Sequence, residues 1–143
     1  MIGIYTGIEE IDKEIQTHIK DSVIVHYSDY LIEDDTFRNK TVIISTQAIE
    51  EDLQEFLFIL KQMNVRVILL IKNKQQEDTK IALQLGIYDI VYGNFYPSQI
   101  KEIIEHPRSF KDIADLYRKT FGVKNKNQRR IREKKSNSFF SRK

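Results

Sequence analysis

Carboxylates, hydroxyls and imidazoles are the groups in this chain that could carry chemistry, and their spacing assembles none of the common reactive sites. A divalent cation needs carboxylate oxygens converging on one point. Glu9 and Glu10 are an adjacent acidic pair, but they open an amphipathic helical pattern, where negative charge is favourable against the helix dipole. They are read as helix residues in preference to metal ligands. Glu33, Asp34 and Asp35 form a second acidic group whose spacing matches no calcium loop, so a solvated loop is expected. His18, His26 and His106 fall on a helix, a strand and a helix end, and no pair has metal-ligand spacing. There is no cysteine, which excludes disulfides and thiolate metal sites and fits a reducing, cytoplasmic setting. No G-x-x-x-x-G-K-S/T phosphate loop, no G-x-G-x-x-G turn and no nucleophile elbow is present. No catalytic residue, metal ligand or cofactor is assigned, and neither an enzymatic activity nor a small-molecule substrate is expected.

The elements that must position these residues are easier to read. Ile2 and Ile4 mark a short strand that runs into Thr6-Gly7. A helix follows from about Ile8 to Lys20, with Ile8, Ile11, Ile15 and Ile19 on one stripe. SVIVHY is a second, β-branched strand. Ser28 to Asn39 is polar and acidic and holds at most a short helix. TVIIS is a third strand, almost continuously apolar, as a parallel strand covered on both faces must be. It ends in Ser45-Thr46. A helix over Glu50 to Met63 presents Leu53, Phe56, Leu57 and Leu60.

VRVILLI, the most apolar strand, is expected near the centre of the sheet. Lys72 opens the loop after it and is read as a solvated residue. The next helix, Gln75 to Leu85, turns Ala82, Ile81 and Leu85 inward and stops at Gly86. YDIVY is the fifth strand, and Pro97 starts the helix behind it, with Ile100, Ile103 and Ile104 on its buried side. Ser109 caps one more helix, Phe110 to about Thr120. Five strands alternating with helices predict an α/β domain with a flavodoxin-like parallel sheet in the order 2-1-3-4-5. Helices cover both of its faces, and one extra C-terminal helix follows.

The order, the spacing and the local pattern ALQLGIYDIVYG resemble a CheY-like response-regulator receiver over roughly residues 1–106. The resemblance implies a phosphorylation site at the carboxyl edge of the sheet: an acidic pair after the first strand for Mg²⁺, an aspartate ending the third, a Ser or Thr ending the fourth and a Lys ending the fifth. Mg²⁺ and a phosphoryl group in flight need those charges. Here the positions hold Thr6 and Gly7, then Ser45 and Thr46, then Ile71, then Gly93, and the aromatic switch position holds Ile90. Every chemical position is lost together, so a degenerate receiver is expected; the remaining alternative is a true receiver with a non-standard acceptor such as Ser45. Degenerate receivers similar to this one stand at the N-terminus of CpaE/TadZ-type proteins, ahead of an ATPase, where they serve positioning and self-association.

Tyr88, Tyr92, Phe95 and Tyr96 gather around the fifth strand, and in receivers that side is where partners or a second copy dock. Two readings are open: a docking face, or the filled edge of the core.

Charge divides the chain. Residues 1–117 carry 12 Lys/Arg against 20 Asp/Glu, a balance of −8; residues 118–143 carry 11 Lys/Arg against Glu133, a balance of +10. A domain over 1–121 and a basic tail or linker over 122–143 are therefore expected, the tail being too polar to bury a core. Arg129, Arg130, Arg132, Lys134 and Lys135 would contact nucleic acid, or an acidic membrane surface with Phe139-Phe140 inserted; a solvated linker is the reading favoured over both. The whole reads as a phosphorylation-independent interaction and dimerisation module, the N-terminal part of a larger localisation or assembly protein. The competing reading is a nucleic-acid-binding accessory protein using its tail.

Overall fold

The structure, a computed structural model, describes residues 1–73 and 76–123. Arg129, Arg130, Arg132, Lys134 and Lys135 of the tail lie outside the described residues. Five strands, β1 (Ile2–Tyr5), β2 (Ser22–Ile24), β3 (Thr41–Ser45), β4 (Arg66–Ile71) and β5 (Asp89–Tyr92), form one parallel sheet in the order β2-β1-β3-β4-β5. This is the flavodoxin-like arrangement that the alternation of strands and helices predicts. The helices are α1 (Glu9–His18), α2 (Asp29–Ile32), α3 (Leu53–Gln62), α4 (Gln76–Gln84), α5 (Pro97–Glu105) and α6 (Phe110–Phe121), with a 3₁₀ turn over Thr46–Ala48. No helix among the described residues is long and apolar enough to cross a membrane.

The two-residue period of the strands splits the core into two layers. Ile4, Ile43, Ile68, Leu70 and Val91 turn to one face, where α1 brings Ile15 and Ile19 and α5 brings Ile100 and Ile103. Tyr5, Val42, Ile44, Val67, Leu69, Ile71 and Ile90 turn to the other. There α3 contributes Phe56, Leu57 and Leu60, α4 contributes Ala82 and Leu83, and α6 contributes Ile113. The extra helix is thus part of the domain: it packs beside α4 and closes the second face at the β5 end.

Several boundaries differ from the sequence expectation. β2 ends at Ile24, three residues short of Tyr27, where SVIVHY ends. As the outer strand it pairs only with β1, and the ladder fades after Val25 donates to the Ile4 carbonyl at 2.7 Å. Ile8 is 44% exposed and leaves the buried stripe, because it precedes the first helical residue. α3 begins at Leu53, not Glu50, since the Asp52 carboxylate caps it by accepting from the Glu55 amide at 3.0 Å. Leu83, unassigned by the helical pattern, is buried.

Two contacts fix the sheet's neighbours. Gly3 lies under the Phe37 ring so closely that a Cβ there would meet it at 2.6 Å, which lets the chain leading into β3 cover β1. At the opposite end of the sheet Arg66 of β4 donates from Nε to Asp89 of β5 at 3.0 Å. Its Nη1 and Nη2 reach the carbonyls of Ile104 and Ile103, at the C-terminal end of α5. A cation there satisfies carbonyls that the helix itself leaves unpaired.

Candidate functional site

The strands β1, β3, β4 and β5 end at a common cavity of about 360 Å³ on the carboxyl edge of the sheet, beside α1. This edge, at the point where the strand order reverses, is where open α/β sheets bind ligands. Thr6 and Ser45 come to it from the ends of β1 and β3, and Gly93 from the end of β5. Lys72, Gln47 and Asn94 add polar groups, and Ile8, Ile11, Leu70 and Phe95 supply apolar wall.

The local chain explains the placement. Gly7 turns the chain out of β1 with φ +76°, a left-handed conformation costly for other residues, and a Cβ there would press on Ala48 at 3.0 Å. Ser45 precedes the 3₁₀ turn, which carries Gln47 to the rim and keeps Thr46 half-buried within it. Tyr5 steadies the same turn by donating its hydroxyl to the Ala48 carbonyl at 2.9 Å. Burial raises the Tyr5 pKa, and the negative charges of Glu51 and Glu50 raise it further.

Of the positions counted by analogy with a receiver, Thr6, Ser45 and Gly93 meet at the cavity. Ile71 does not: it is 1% exposed and belongs to the core layer beneath α3 and α4. Gly93 has φ +66°, and its amide donates to the Ile71 carbonyl at 2.9 Å, extending the β4–β5 ladder by one bond. Lys72, read from sequence as merely solvated, is exposed and also lines the cavity.

Asp12 is the residue that the sequence reading missed. It sits in α1 and is only 3% exposed. Its Oδ1 accepts from the Thr6 amide at 2.9 Å and from the Thr6 hydroxyl at 2.6 Å. Burial pushes its pKa upward, and the two bonds from Thr6 partly oppose that shift. A signal for it existed: position 12 is four residues after Ile8 and three before Ile15, so a carboxylate stands on the apolar stripe.

Glu14 and Lys72 are the charged side chains lining the cavity, one of each sign. Glu14 is the one carboxylate residue lining the cavity among those described, and Asp12 is turned onto Thr6. Among the described residues no group of three or more His, Cys, Asp or Glu side chains converges on a point. Glu9 and Glu10 open α1, and Lys13 pairs with Glu9 at 2.9 Å on the helix exterior. Asp34 accepts from the Thr36 amide at 2.9 Å in an exposed turn.

The four aromatic residues around β5 do not share one surface. Tyr88 packs edge-on against Phe110 of α6, with ring centroids 6.1 Å apart. Phe110 meets Tyr117 at 5.3 Å, and Tyr117 meets Phe121 at 4.6 Å. Tyr92 lies on the same side and its hydroxyl is 2.6 Å from the Thr79 hydroxyl of α4. Phe95 packs into the opposite layer, below α1 and α5. Tyr96 alone of the four projects into solvent, 73% exposed. α6 brings Phe110, Tyr117 and Phe121 to the side of β5 where Tyr88 lies, and the alternation of side chains sends Phe95 to the other layer. No family model matches the chain, and a search of curated proteins finds no similar sequence.

Proposed function

We propose that the chain is a pseudo-receiver: a receiver-like domain that works without phosphorylation, as a protein-interaction and self-association module. One observation carries the reading. At the carboxyl edge of the sheet, where phosphotransfer would need converging carboxylates, β1 and β3 deliver the hydroxyls of Thr6 and Ser45, and the nearby carboxylate Asp12 is bonded to Thr6. A site so built offers no carboxylate nucleophile at the end of β3. What such a domain has left to work with is its surface. The similarity to the N-terminal part of CpaE/TadZ-type proteins makes a place in a larger localisation or assembly protein part of the same proposal.

Light scattering on the full chain tests it, with and without acetyl phosphate and Mg²⁺. Self-association that is unchanged by the phosphodonor, and weakened by Tyr96→Ala, is the expected result. A strict monomer at high concentration, or association that requires the phosphodonor, contradicts it.

A second reading rests on the charge division: residues 118–143 carry 11 Lys/Arg against Glu133. A segment of that kind binds nucleic acid through phosphates, and the affinity then falls steeply with salt. A steep negative salt slope that disappears on deleting residues 124–143 would favour this reading; a flat slope would remove it.

A further inference from the structure

A second cavity, of about 340 Å³, lies at the opposite, amino edge of the sheet, where β3, β4 and the loop before β5 begin. Its electrostatics run against the rest of the domain. Residues 1–117 hold 12 Lys/Arg against 20 Asp/Glu, yet Lys40, Lys61, Arg66 and Arg108 all line this one cavity, with Asp89 as the sole carboxylate. Both oxygens of Asp89 are already occupied: Oδ2 accepts from Arg66 Nε at 3.0 Å, and Oδ1 accepts from the Arg108 amide at 2.9 Å. The two guanidinium groups are held by carbonyls as well, Arg66 by Ile103 and Ile104 and Arg108 by Ile90 at 2.6 Å. Those carbonyls fix position without removing charge. Lys40 and Lys61 stand exposed on the rim, and among the described residues neither pairs with a carboxylate.

Neutral donors complete the wall. Asn39 and Asn64 occupy left-handed backbone positions, φ +63° and +58°, in the two loops that lead into β3 and β4. They are joined by a side-chain hydrogen bond of 2.8 Å, so the loops form one edge of the cavity. Four cations against one carboxylate, around a concave, hydrogen-bonding wall, attract anions. Concavity favours a compact ligand over an extended chain, and the surplus of positive charge favours more than one negative charge on it.

We infer that this amino-edge cavity binds a small, multiply charged phosphate compound, such as a diphosphate-bearing metabolite, with Lys40 and Lys61 closing on the phosphates and Arg66 and Arg108 supplying the fixed charge behind them. The site is independent of the carboxyl-edge cleft and of the proposed interaction role. Pyrophosphate is the simplest probe. An amide-shift titration of the full, isotope-labelled chain with pyrophosphate is matched against sulfate at equal ionic strength. Saturable shifts centred on Asn39–Thr41, Asn64–Arg66 and Arg108 are expected, and sulfate should not reproduce them. The paired variant K40Q/K61Q, with its melting temperature checked against the parent, weakens binding about tenfold or more, as loss of two charge-assisted contacts requires. Shifts confined to residues 124–143, shifts that never saturate, or an affinity indifferent to K40Q/K61Q would overturn the inference. If K40Q/K61Q does not fold, the shift map of the parent chain decides by itself.

Discussion

The Thr6 hydroxyl donates to Asp12 Oδ1 at 2.6 Å, and the Thr6 amide donates to the same oxygen at 2.9 Å. The pair ties the end of β1 to the first turn of α1, beside the cleft. A hydroxyl stands at the strand end, and the carboxylate nearby accepts from it. Two hydrogen bonds internal to the chain thereby hold β1 to α1 beside the cleft.

Replacing Thr6 with Val removes the hydroxyl donor and keeps the shape. Oδ1 of a buried carboxylate then retains the amide bond alone. A loss of about 1–3 kcal/mol in urea unfolding is expected. A change within about 0.5 kcal/mol, the range of an ordinary surface substitution, would show that the bond contributes nothing.

Asp12 also gives the domain a pH dependence of defined sign. Burial raises its folded-state pKa above the unfolded value. The folded state therefore holds the proton more tightly, and the stability contributed by this group is full below the unfolded pKa and lost as pH rises through the folded one. Asp12→Asn keeps an oxygen that can accept from Thr6 and does not ionise. Relative to that variant, the parent chain should lose stability as pH climbs from about 4, near the ordinary Asp value, toward neutrality. Equal stability differences at every pH would contradict the assignment.

Arg66 joins β4, β5 and the C-terminal end of α5. Arg66→Ala leaves Asp89, itself buried, without its charged partner and strips the Ile103 and Ile104 carbonyls of their donor. Breaking a buried pair from one side costs about 3–5 kcal/mol; Arg66 is partly exposed and Asp89 keeps the Arg108 amide, so the lower end is expected. A double-mutant cycle with Asp89→Asn should return a positive coupling energy, and additivity would contradict the pairing.

Gly3→Ala puts a methyl group into the Phe37 ring. Overpacking of this kind costs about 1–3 kcal/mol. Phe37→Leu in the same chain should cost less than the sum of the two changes, because the smaller side chain makes room. Full additivity would place the ring elsewhere.

Most of the fold is legible in the residues. TVIIS predicts β3 at its observed limits, and Gly86 predicts the end of α4 because only a residue at ease with positive φ fits there. The edge strand is overestimated, since SVIVHY has strand propensity to Tyr27 but a pairing partner only on one side. The site is less legible. Strand ends can be counted, and Thr6, Ser45 and Gly93 all line the cleft. Ile71 takes the other face of β4 and lies in the core layer, while Leu70 beside it lines the cleft. Asp12 depends on a bend at Gly7 that brings position 12 back to position 6, a contact that no linear pattern states. The cations of the amino-edge cavity come from four separate segments and meet only in three dimensions.

Intact mass of the full chain after incubation with acetyl phosphate and Mg²⁺ tests the central claim most directly. The expected outcome is the unmodified mass at every time point. A stoichiometric phosphoryl adduct, abolished by Ser45→Ala, would mean that the cleft at the carboxyl edge still transfers phosphate, and the pseudo-receiver account would be wrong.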